Sequence, residues 1–286
     1  MHKILKRLLG LSFIAISAYS CSLFGGDELR PAYVHIEPFT ITSDVPTQGS
    51  PTEKVVDGWV YMNGQQLGVF ELPVTIPVLD SGLRDISVFS GVKENGITAQ
   101  GDIYPFYRGY EKELDLVPFE TDTITPTSSY QEGLSFLFLE RFEIGNAFNM
   151  GSGSDVGLEV ITDVDLVLEG NRSAVGLLGG DDFYLRVVTD PLNLPPVGSP
   201  CWAEIDYRSN NNFDVWLTGY YPGGVPLSSY LITIVPRDEW NKIYLNIGAK
   251  VQEMQADSYS LEIRSLRPVT VSSAWLYLDN IKIIAF

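Results

Sequence analysis

One stretch of the sequence shows the structural class most clearly, and it reads Cys201-Trp202-Ala203-Glu204-Ile205-Asp206-Tyr207-Arg208-Ser209-Asn210-Asn211-Asn212-Phe213-Asp214-Val215-Trp216. Apolar and polar side chains alternate on both sides of its asparagine run, which is the period of a β-strand with one buried face. The residues Ser209–Asn212 are typical of a turn. The stretch therefore predicts two strands that are joined as a hairpin.

The chain beyond residue 30 keeps this character almost throughout. Short β-branched and aromatic runs such as Gly58–Met62 and Val74–Val78 are separated by Gly, Pro, Asn and Asp turns. Their spacing of about 8–12 residues is typical of β-sandwiches and barrels. Asn63-Gly64 is the strongest hairpin signal, because both residues tolerate a positive φ. We predict an all-β chain.

A change in composition separates two parts of the chain. Residues 121–129 are rich in Thr and Ser and contain Pro126, which is typical of a linker or a last strand. We therefore predict an N-terminal β-sandwich, a spacer or docking domain, at residues 31–126. Residues 127–286 hold about ten further strand candidates, which suit a two-sheet jelly roll that serves as a binding domain.

The first residues of the chain predict export. A basic start is followed by the apolar run Leu8–Ile16, too short to span a bilayer, and by small residues before Cys21. This segment resembles the lipobox of bacterial lipoproteins, in which the cysteine is acylated and becomes the mature N-terminus. Ala18 and Ser20 fit that pattern, whereas Tyr19 is unusual in it. A plain secretory peptide with an incidental cysteine is the alternative.

The lipobox resemblance implies a signal peptide at residues 1–20 and a lipidated Cys21 that carries palmitate or a related acyl chain. Residues 21–30 contain Gly25-Gly26 and predict a flexible tether. The residue after Cys21 is not Asp, which by resemblance to known sorting rules is compatible with transfer to the outer membrane of a Gram-negative cell. We therefore expect a lipid-anchored cell-envelope protein, on either the periplasmic or the surface side of that membrane.

The charge of the chain excludes several classes of partner. Removal of residues 1–20 leaves 16 of the 19 basic residues against 36 acidic ones, a formal charge of −20. Such a chain repels nucleic acid and anionic lipid, so we expect no nucleic-acid partner. Contact with the membrane is expected through the N-terminal lipid instead.

Few residues remain for catalysis. His35 is the only imidazole once His2 leaves with the signal peptide, and the alternating run Tyr33–Glu37 predicts a strand residue. Cys201 has no disulfide partner once Cys21 is acylated. It lies on the apolar face of its predicted strand, so we expect it to be a small buried hydrophobe. Glycine-rich nucleotide loops and the GxSxG elbow are absent from the sequence. We predict that the protein is not an enzyme.

The N-terminal part resembles PEGA-like and carboxypeptidase-regulatory-like β-sandwich modules. The resemblance rests on the segment Trp59–Gly68, on Leu72-Pro73-Val74 and on Ser81-Gly82. It implies a tight turn, a second strand that ends at a glycine, and a returning hairpin that begins with glycine. Modules of this kind serve as spacers or docking domains.

The C-terminal part resembles the galactose-binding-like jelly rolls of many carbohydrate-binding modules. The residues that carry this resemblance are Phe142-Glu143, Glu204–Tyr207, Trp240–Tyr244 and Leu278–Lys282. In that family an early acidic residue and a closing aspartate often meet at a structural calcium ion, which by position implies Glu143 and Asp279 as metal ligands. A turn aspartate that caps backbone amides at Asp279-Asn280 is the alternative.

The alternation in the opening stretch predicts a binding face for sugars. The outward-facing residues would be Arg208 and the five expected sugar contacts Trp202, Glu204, Asp206, Asp214 and Trp216. If the two strands form a hairpin, these residues lie side by side, with aromatic faces to stack on pyranose rings and acids to bind hydroxyl groups. The alternative is that the tryptophans are covered by a neighbouring strand, a loop or the first domain.

Glu204-Ile205-Asp206 also looks like the start of the E-x-D-x-x-E signature of retaining β-glucanases. Arg208 and Ser209 stand where the final glutamate of that signature should be. Without this acid/base residue the double displacement has no proton donor, so we expect binding without cleavage.

Two functions follow as hypotheses. The first is a non-catalytic, lipid-anchored protein that binds carbohydrate through the C-terminal jelly roll. The second is a structural or accessory lipoprotein subunit of an outer-membrane export or assembly complex, with an outer-membrane protein as its partner.

Overall fold

The computed structural model of the protein describes residues 30–99, 101–195 and 198–286. Within these ranges the chain forms 21 β-strands and two short helices, so the all-β prediction is confirmed. The described part contains no helix that is long and apolar enough to cross a membrane. Cys21 and residues 1–20 lie outside the described residues, and lipidation stays a prediction.

The N-terminal module is built from ten strands and one short helix. They are β1 (Ala32–Ile36), β2 (Thr40–Thr42), α1 (Val45–Gln48), β3 (Asp57–Met62), β4 (Gln65–Glu71), β5 (Val74–Val78), β6 (Gly82–Lys93), β7 (Gly101–Ile103), β8 (Tyr110–Leu116), β9 (Thr121–Ile124) and β10 (Thr127–Ser129). Sheet I has the order β4-β3-β6-β7, with β8 also paired to β6, and sheet II has the order β5-β1-β9. β2 and β10 form a separate parallel pair.

The tight turn predicted at Asn63-Gly64 is confirmed. Asn63 has a φ of 49° and Gly64 a φ of 78°, and the turn joins the antiparallel strands β3 and β4. Both residues therefore adopt the left-handed conformation that a two-residue hairpin turn requires. His35 lies on β1, where its Nδ1 is 2.7 Å from the Thr75 hydroxyl on β5. It is a strand residue hydrogen-bonded to its neighbour, as the alternation predicted.

The C-terminal module forms two stacked sheets. Its elements are β11 (Ser135–Glu140), β12 (Phe148–Met150), β13 (Glu159–Ile161), β14 (Ser173–Gly179), β15 (Tyr184–Thr189), β16 (Cys201–Ser209), β17 (Phe213–Tyr220), β18 (Leu227–Ile234), β19 (Arg237–Asn246), α2 (Gly248–Met254), β20 (Ser258–Leu266) and β21 (Ser273–Ala285). Sheet III has the order β13-β14-β21-β16-β19, with β11 also on β21, and sheet IV has the order β12-β15-β20-β17-β18. This arrangement is the predicted two-sheet β-sandwich.

The inward faces of the strands meet in one apolar core between sheets III and IV. On β16 the core-facing residues are Cys201, Ala203, Ile205 and Tyr207, as the alternation predicted. Burial raises the pKa of the Cys201 thiol to about 12. The thiol is therefore inert and acts as a small hydrophobe.

The predicted hairpin between β16 and β17 is wrong. β16 lies in sheet III between β21 and β19, whereas β17 lies in sheet IV between β20 and β18. The connecting turn crosses from one sheet to the other, and the Asn211 side-chain amide donates to Ser265 Oγ and the Leu266 carbonyl of β20. Alternation sets which face of each strand is buried, but it does not choose the neighbouring strand.

The two modules share a packed boundary. Trp202, Tyr244 and Ile284 of sheet III belong to the apolar cluster of the N-terminal module rather than to the core between sheets III and IV. The Tyr104 ring packs edge-on against Trp202 at 5.5 Å between ring centres, and Phe106 packs against Phe286 at 5.4 Å. The N-terminal module therefore covers part of the outer face of sheet III.

A substitution tests the position of the core. We expect Ile205→Ala to lower the free energy of unfolding by about 2–5 kcal/mol, because the fully buried side chain leaves a cavity. Urea unfolding followed by tryptophan fluorescence measures this change. Leu266→Ala is the control, since Leu266 is 67% exposed and its truncation should change stability by less than about 0.5 kcal/mol. Equal effects of the two variants would contradict the burial of Ile205.

Candidate functional site

The structure separates the five predicted sugar-contacting residues into two groups. Trp202, Glu204 and Asp206 lie on the outer face of sheet III, but only 4%, 0% and 2% of their surfaces are exposed. Asp214 and Trp216 lie on the outer face of sheet IV and are partly exposed. The single five-residue face is therefore not formed, and the first group is covered by the N-terminal module.

Glu204 is the centre of a buried polar network between the modules. Its Oε1 accepts hydrogen bonds from the hydroxyls of Tyr104 at 2.7 Å, in the N-terminal module, and of Tyr130 at 2.9 Å, in the segment between β10 and β11. Its Oε2 lies 2.9 Å from Lys242 Nζ. Burial raises the pKa of the Glu204 carboxyl, but the cations Lys242 and Lys282 outweigh this and hold it below its usual value.

Lys282 connects the network to the loop that follows α1. Its Nζ donates to the Ser50 carbonyl at 2.7 Å and to the Tyr130 hydroxyl at 2.9 Å, and it lies 3.9 Å from Glu204. The side chain is fully buried. Burial lowers the pKa of the ammonium group to about 8, although Glu204 partly offsets this effect.

Asp206 and Lys242 complete the network. The Thr52 hydroxyl donates to Asp206 Oδ2 at 2.5 Å, and Lys242 Nζ lies 3.5 Å from the same oxygen. Burial raises the pKa of Asp206. Burial alone would lower the pKa of Lys242, but Asp206 and Glu204 raise it above its usual value. The network thus pairs buried carboxylates with buried ammonium groups, and most of its hydroxyl donors come from the N-terminal module.

The burial of Glu204 and Asp206 does not suit the part of a glycosidase carboxylate. A glycosidase needs two carboxyl groups on either side of a sugar bond. Both carboxylates here are covered by Tyr104, Tyr130 and Thr52, and they accept hydrogen bonds from these residues. A substrate cannot approach them while the modules are packed together.

A second surface, which we name the Trp216 face, covers the outer side of sheet IV. It consists of Arg186, Asp214, Trp216, Tyr230, Glu262 and Arg264, which lie on four adjacent strands. Glu262 is directly opposite Trp216 across β20 and β17, and Tyr230 is opposite Trp216 across β18. The strand register therefore places an acid, an indole and a phenol in one row.

Ion pairs fix the charged side chains of the Trp216 face. The fully buried Glu262 carboxylate accepts from Arg186 Nε at 2.9 Å and from Arg264 Nη2 at 2.5 Å, and the Thr218 hydroxyl also donates to it. Burial raises the pKa of Glu262, but these donors outweigh it and lower the pKa to about 2. Glu262 therefore stays ionised and holds both guanidinium groups in place.

The aromatic side chains of the Trp216 face lie beside these charges. The Arg264 guanidinium carbon is 4.1 Å from the centre of the Trp216 ring, a cation–π contact. Tyr230 packs edge-on against Trp216 at 5.5 Å and is 46% exposed. Rigid rings and pre-positioned hydrogen-bonding groups on an exposed surface suit the binding of a ligand with both apolar and hydroxylated faces.

A third surface, the Trp275 patch, was missed by the sequence analysis. It consists of Arg208, Trp240, Trp275 and Tyr277 on the outer side of sheet III. The Arg208 guanidinium carbon lies 5.3 Å from the Trp275 ring centre and 5.8 Å from that of Tyr277. The alternation of Trp275 and Tyr277 along β21 was the signal that could have revealed it.

The two residues that the jelly-roll resemblance implied as calcium ligands both accept hydrogen bonds from the protein. Glu143 Oε1 accepts from the backbone N–H groups of Asn171 at 2.7 Å and Arg172 at 3.2 Å. Asp279 accepts from the Ser173 hydroxyl at 2.7 Å and from the Asn280 N–H at 2.8 Å. These contacts fit a capping aspartate, the alternative given above.

Metal binding has no further support in the described parts of the chain, where no group of three or more His, Cys, Asp or Glu side chains is placed to hold an ion. Calcium binding stays a prediction.

Comparisons with known proteins concern the architecture. No family model and no curated protein matches the chain. The module TmCBM61 in complex with β-1,4-galactotriose is similar over 50% of this chain and 93% of its own, with 13% identity and a TM-score of 0.35. A carbohydrate-binding module of the β-sandwich superfamily, described for promiscuous specificity, is similar over 90% of this chain and 99% of its own, with 14% identity and a TM-score of 0.41.

An enzyme domain is also similar in fold. The enzymatically active domain of tailspike protein 4 from bacteriophage CBA120 is similar over 57% of this chain and 25% of its own, with 9% identity and a TM-score of 0.41. No ligand or activity is carried over from any of these structures.

The buried network predicts a large loss of stability when its central acid is removed. We expect Glu204→Ala to lower the free energy of unfolding by about 3–5 kcal/mol, because two buried ammonium groups lose their shared partner. Chemical denaturation measures this loss. Glu132→Ala is the matched control, since Glu132 pairs with Arg108 at 2.8 Å on the surface and should contribute at most about 1 kcal/mol. Similar losses in both variants would refute the central role of Glu204.

The pH dependence of stability gives a second test. Burial raises the pKa of Asp279 to about 7, above the ordinary value of 3.8. The folded state therefore binds this proton more tightly, and stability falls as the pH rises from about 4 to about 7. Asp279→Asn should reduce this fall and be more stable than the wild type at pH 8. Urea unfolding midpoints of both proteins at pH 5 and pH 8 measure this loss of stability. If the midpoint of the variant changes with pH as much as that of the wild type, Asp279 is not the cause of the loss.

Proposed function

We propose that the protein is a lipid-anchored, non-catalytic binding protein of the cell envelope, and that it binds carbohydrate on the Trp216 face. The observation that carries the proposal is the row of Trp216 and Tyr230 beside arginines held by Glu262 on the outer face of sheet IV. Stacking on rings and hydrogen bonds to fixed polar groups are the two interactions by which proteins hold sugars.

The charge of the face favours a neutral glycan over an acidic one. Arg186 and Arg264 are both paired with Glu262, and Asp214 adds a second carboxylate, which accepts from the Thr233 hydroxyl. Two cations and two anions therefore balance on the face. A uronic acid or sulfated sugar would meet no excess positive charge, in a chain whose formal net charge is −17.

The same geometry supports binding without cleavage. Glu262 has a pKa of about 2 and cannot donate a proton near neutral pH. Glu204 and Asp206 are covered by the N-terminal module. The three carboxylates thus serve to position other side chains, and we propose no reaction for them.

The anchoring part of the proposal is supported by the sequence. The lipobox-like segment that ends at Cys21 favours acylation and transfer to the outer membrane. The N-terminal module, with its PEGA-like segment, would then stand between the lipid and the jelly roll as a spacer. The mass of the N-terminal peptide of protein purified from membranes tests this part separately.

The alternative function is an accessory subunit of an outer-membrane export or assembly complex. Exposed apolar residues at the edge strand β18 and its flanking turns favour it, since Val225, Leu227 and Val235 are 86%, 57% and 56% exposed. Edge strands with apolar side chains are sites where other chains can pair or dock. In this case the protein would not bind sugars, and it would be purified from membranes together with a stoichiometric partner.

Glycan-array screening of the mature chain, followed by affinity electrophoresis with the neutral oligosaccharides that bind, tests the carbohydrate proposal. We expect Trp216→Ala combined with Tyr230→Ala to weaken binding by about tenfold or more, because both ring contacts are lost. Trp275→Ala is the matched control, since it removes an indole from the other face of the sandwich and should leave affinity unchanged.

Two outcomes would contradict this assignment. Binding that survives the double substitution but is lost in Trp275→Ala would move the site to the Trp275 patch. A mature chain that binds no glycan would reject the carbohydrate proposal and leave the accessory-subunit function. Urea midpoints of all variants confirm that each one is folded.

A further inference from the structure

Five strand ends come together at one end of the N-terminal module. β1 starts at Ala32 opposite the last residue of β5, β6 starts at Gly82 opposite the last residue of β8, and Tyr33 is opposite the first residue of β9. The β5–β6 turn and the β8–β9 loop therefore lie next to each other. The chain also enters the described structure here, at Arg30.

This end of the module carries four exposed apolar side chains, and we name it the apolar end. Leu79 is 59% exposed, Leu83 60%, Val117 41% and Phe119 64%. They belong to the two adjacent connections and to the first residues of β6. Single exposed apolar residues are common, but a group of four at one end of a module marks a contact surface.

Phe119 is also held in an unfavourable backbone conformation. Its φ is +71°, in the left-handed region that bulky residues rarely adopt, and its N–H donates to the Pro31 carbonyl at 2.8 Å. The ring gains little burial in return, and the Arg30 guanidinium carbon lies 5.7 Å from its centre. A strained and exposed aromatic residue is better explained by a contact outside the fold than by stability.

The position of the lipid relative to this end follows from chain length. Eight residues lie between Cys21 and Arg30, and even a fully extended chain covers at most about 32 Å from one to the other. The jelly roll lies at the opposite end of β6, where the Asn95 N–H donates to the Tyr244 carbonyl at 2.8 Å. Since β6 has 12 residues, the two ends are about 35 Å apart. The apolar end, where the described chain begins, therefore lies within reach of the acylated cysteine.

We propose that the apolar end contacts the bilayer that holds the lipid anchor, with Leu79, Leu83, Val117 and Phe119 placed in the headgroup region. This inference rests on the proposed acylation of Cys21. The surrounding charges give no cationic excess and favour a zwitterionic surface, because Arg84 is paired with Asp80, Asp115 lies opposite Leu83 and Glu120 follows Phe119. The acid excess of the whole chain argues against an anionic surface.

The contact would orient the protein rather than hold it on the membrane. The acyl chains provide the anchoring, and a patch of four side chains adds a weak second interaction at high local concentration. Because Glu204 and Lys282 fix the jelly roll to the opposite end of the N-terminal module, one contact sets the orientation of both. The Trp216 face would then be held away from the bilayer surface.

The experiment uses mature acylated protein reconstituted in phosphatidylcholine vesicles. Leu83→Cys and Phe119→Cys each carry an environment-sensitive fluorophore, and Val269→Cys is the control, since Val269 is 84% exposed in the C-terminal module. Cys201 stays unlabelled because its thiol is buried and its pKa is raised to about 12. We expect a blue shift and quenching by spin-labelled lipid for the probes at residues 83 and 119 but not at residue 269.

A further variant separates membrane contact from folding. Asparagine tolerates a positive φ, so Phe119→Asn should keep or raise the thermal midpoint while it reduces quenching of the probe at residue 83. Equal quenching at residues 83 and 269 would overturn the proposal. The membrane-contact proposal would also be overturned if mass spectrometry shows that the mature N-terminus carries no acyl group. Glycan binding by the Trp216 face is tested separately, by the glycan array and affinity electrophoresis.

Discussion

The interaction on which the arrangement of the molecule depends is the buried contact of Glu204 with Tyr104, Tyr130 and the two lysines Lys242 and Lys282. A carboxylate with no exposed surface is stable only when it is fully hydrogen-bonded and charge-balanced. Its donors come from both modules, so this requirement is met only when the modules are packed together. Burial of these charges fixes how the two modules meet, and the apolar contacts of Trp202, Tyr244 and Ile284 with the N-terminal cluster add to the stability of the same joint.

This packing gives the sandwich two unequal outer faces. Sheet III loses much of its outer face to the N-terminal module, and the acids that alternation points outward become structural there. Sheet IV keeps its outer face open, and the Glu262 ion pairs hold Arg186 and Arg264 beside Trp216. The Trp216 face, our proposed binding surface, and the joint between the modules therefore lie on opposite sides of one core.

Local pattern predicted the strands well, because strand period and turn chemistry act over a few residues. β5 was predicted with its observed bounds, and Asn63-Gly64 forms the turn that its positive φ values require. The candidate site was predicted less well. Of its tryptophans, Trp216 is on an open face and Trp202 is buried, although both alternate in the same way in the sequence. The difference comes from Tyr104, which is about 100 residues before Trp202.

The sequence by itself determined the all-β class, the inward residues of β16 and the character of Cys201 as a small buried hydrophobe. These properties depend on composition and on a period of two, which neighbouring residues carry. Only the tertiary structure decided that β16 and β17 belong to different sheets and that Glu204 is a buried joint rather than a ligand contact. Which strands pair, and which faces are covered by the other module, depend on contacts between residues far apart in the sequence, such as Tyr104 with Glu204 and Ser50 with Lys282. Alternation indicates which side of the sheet a residue faces, but it does not indicate what packs against that side.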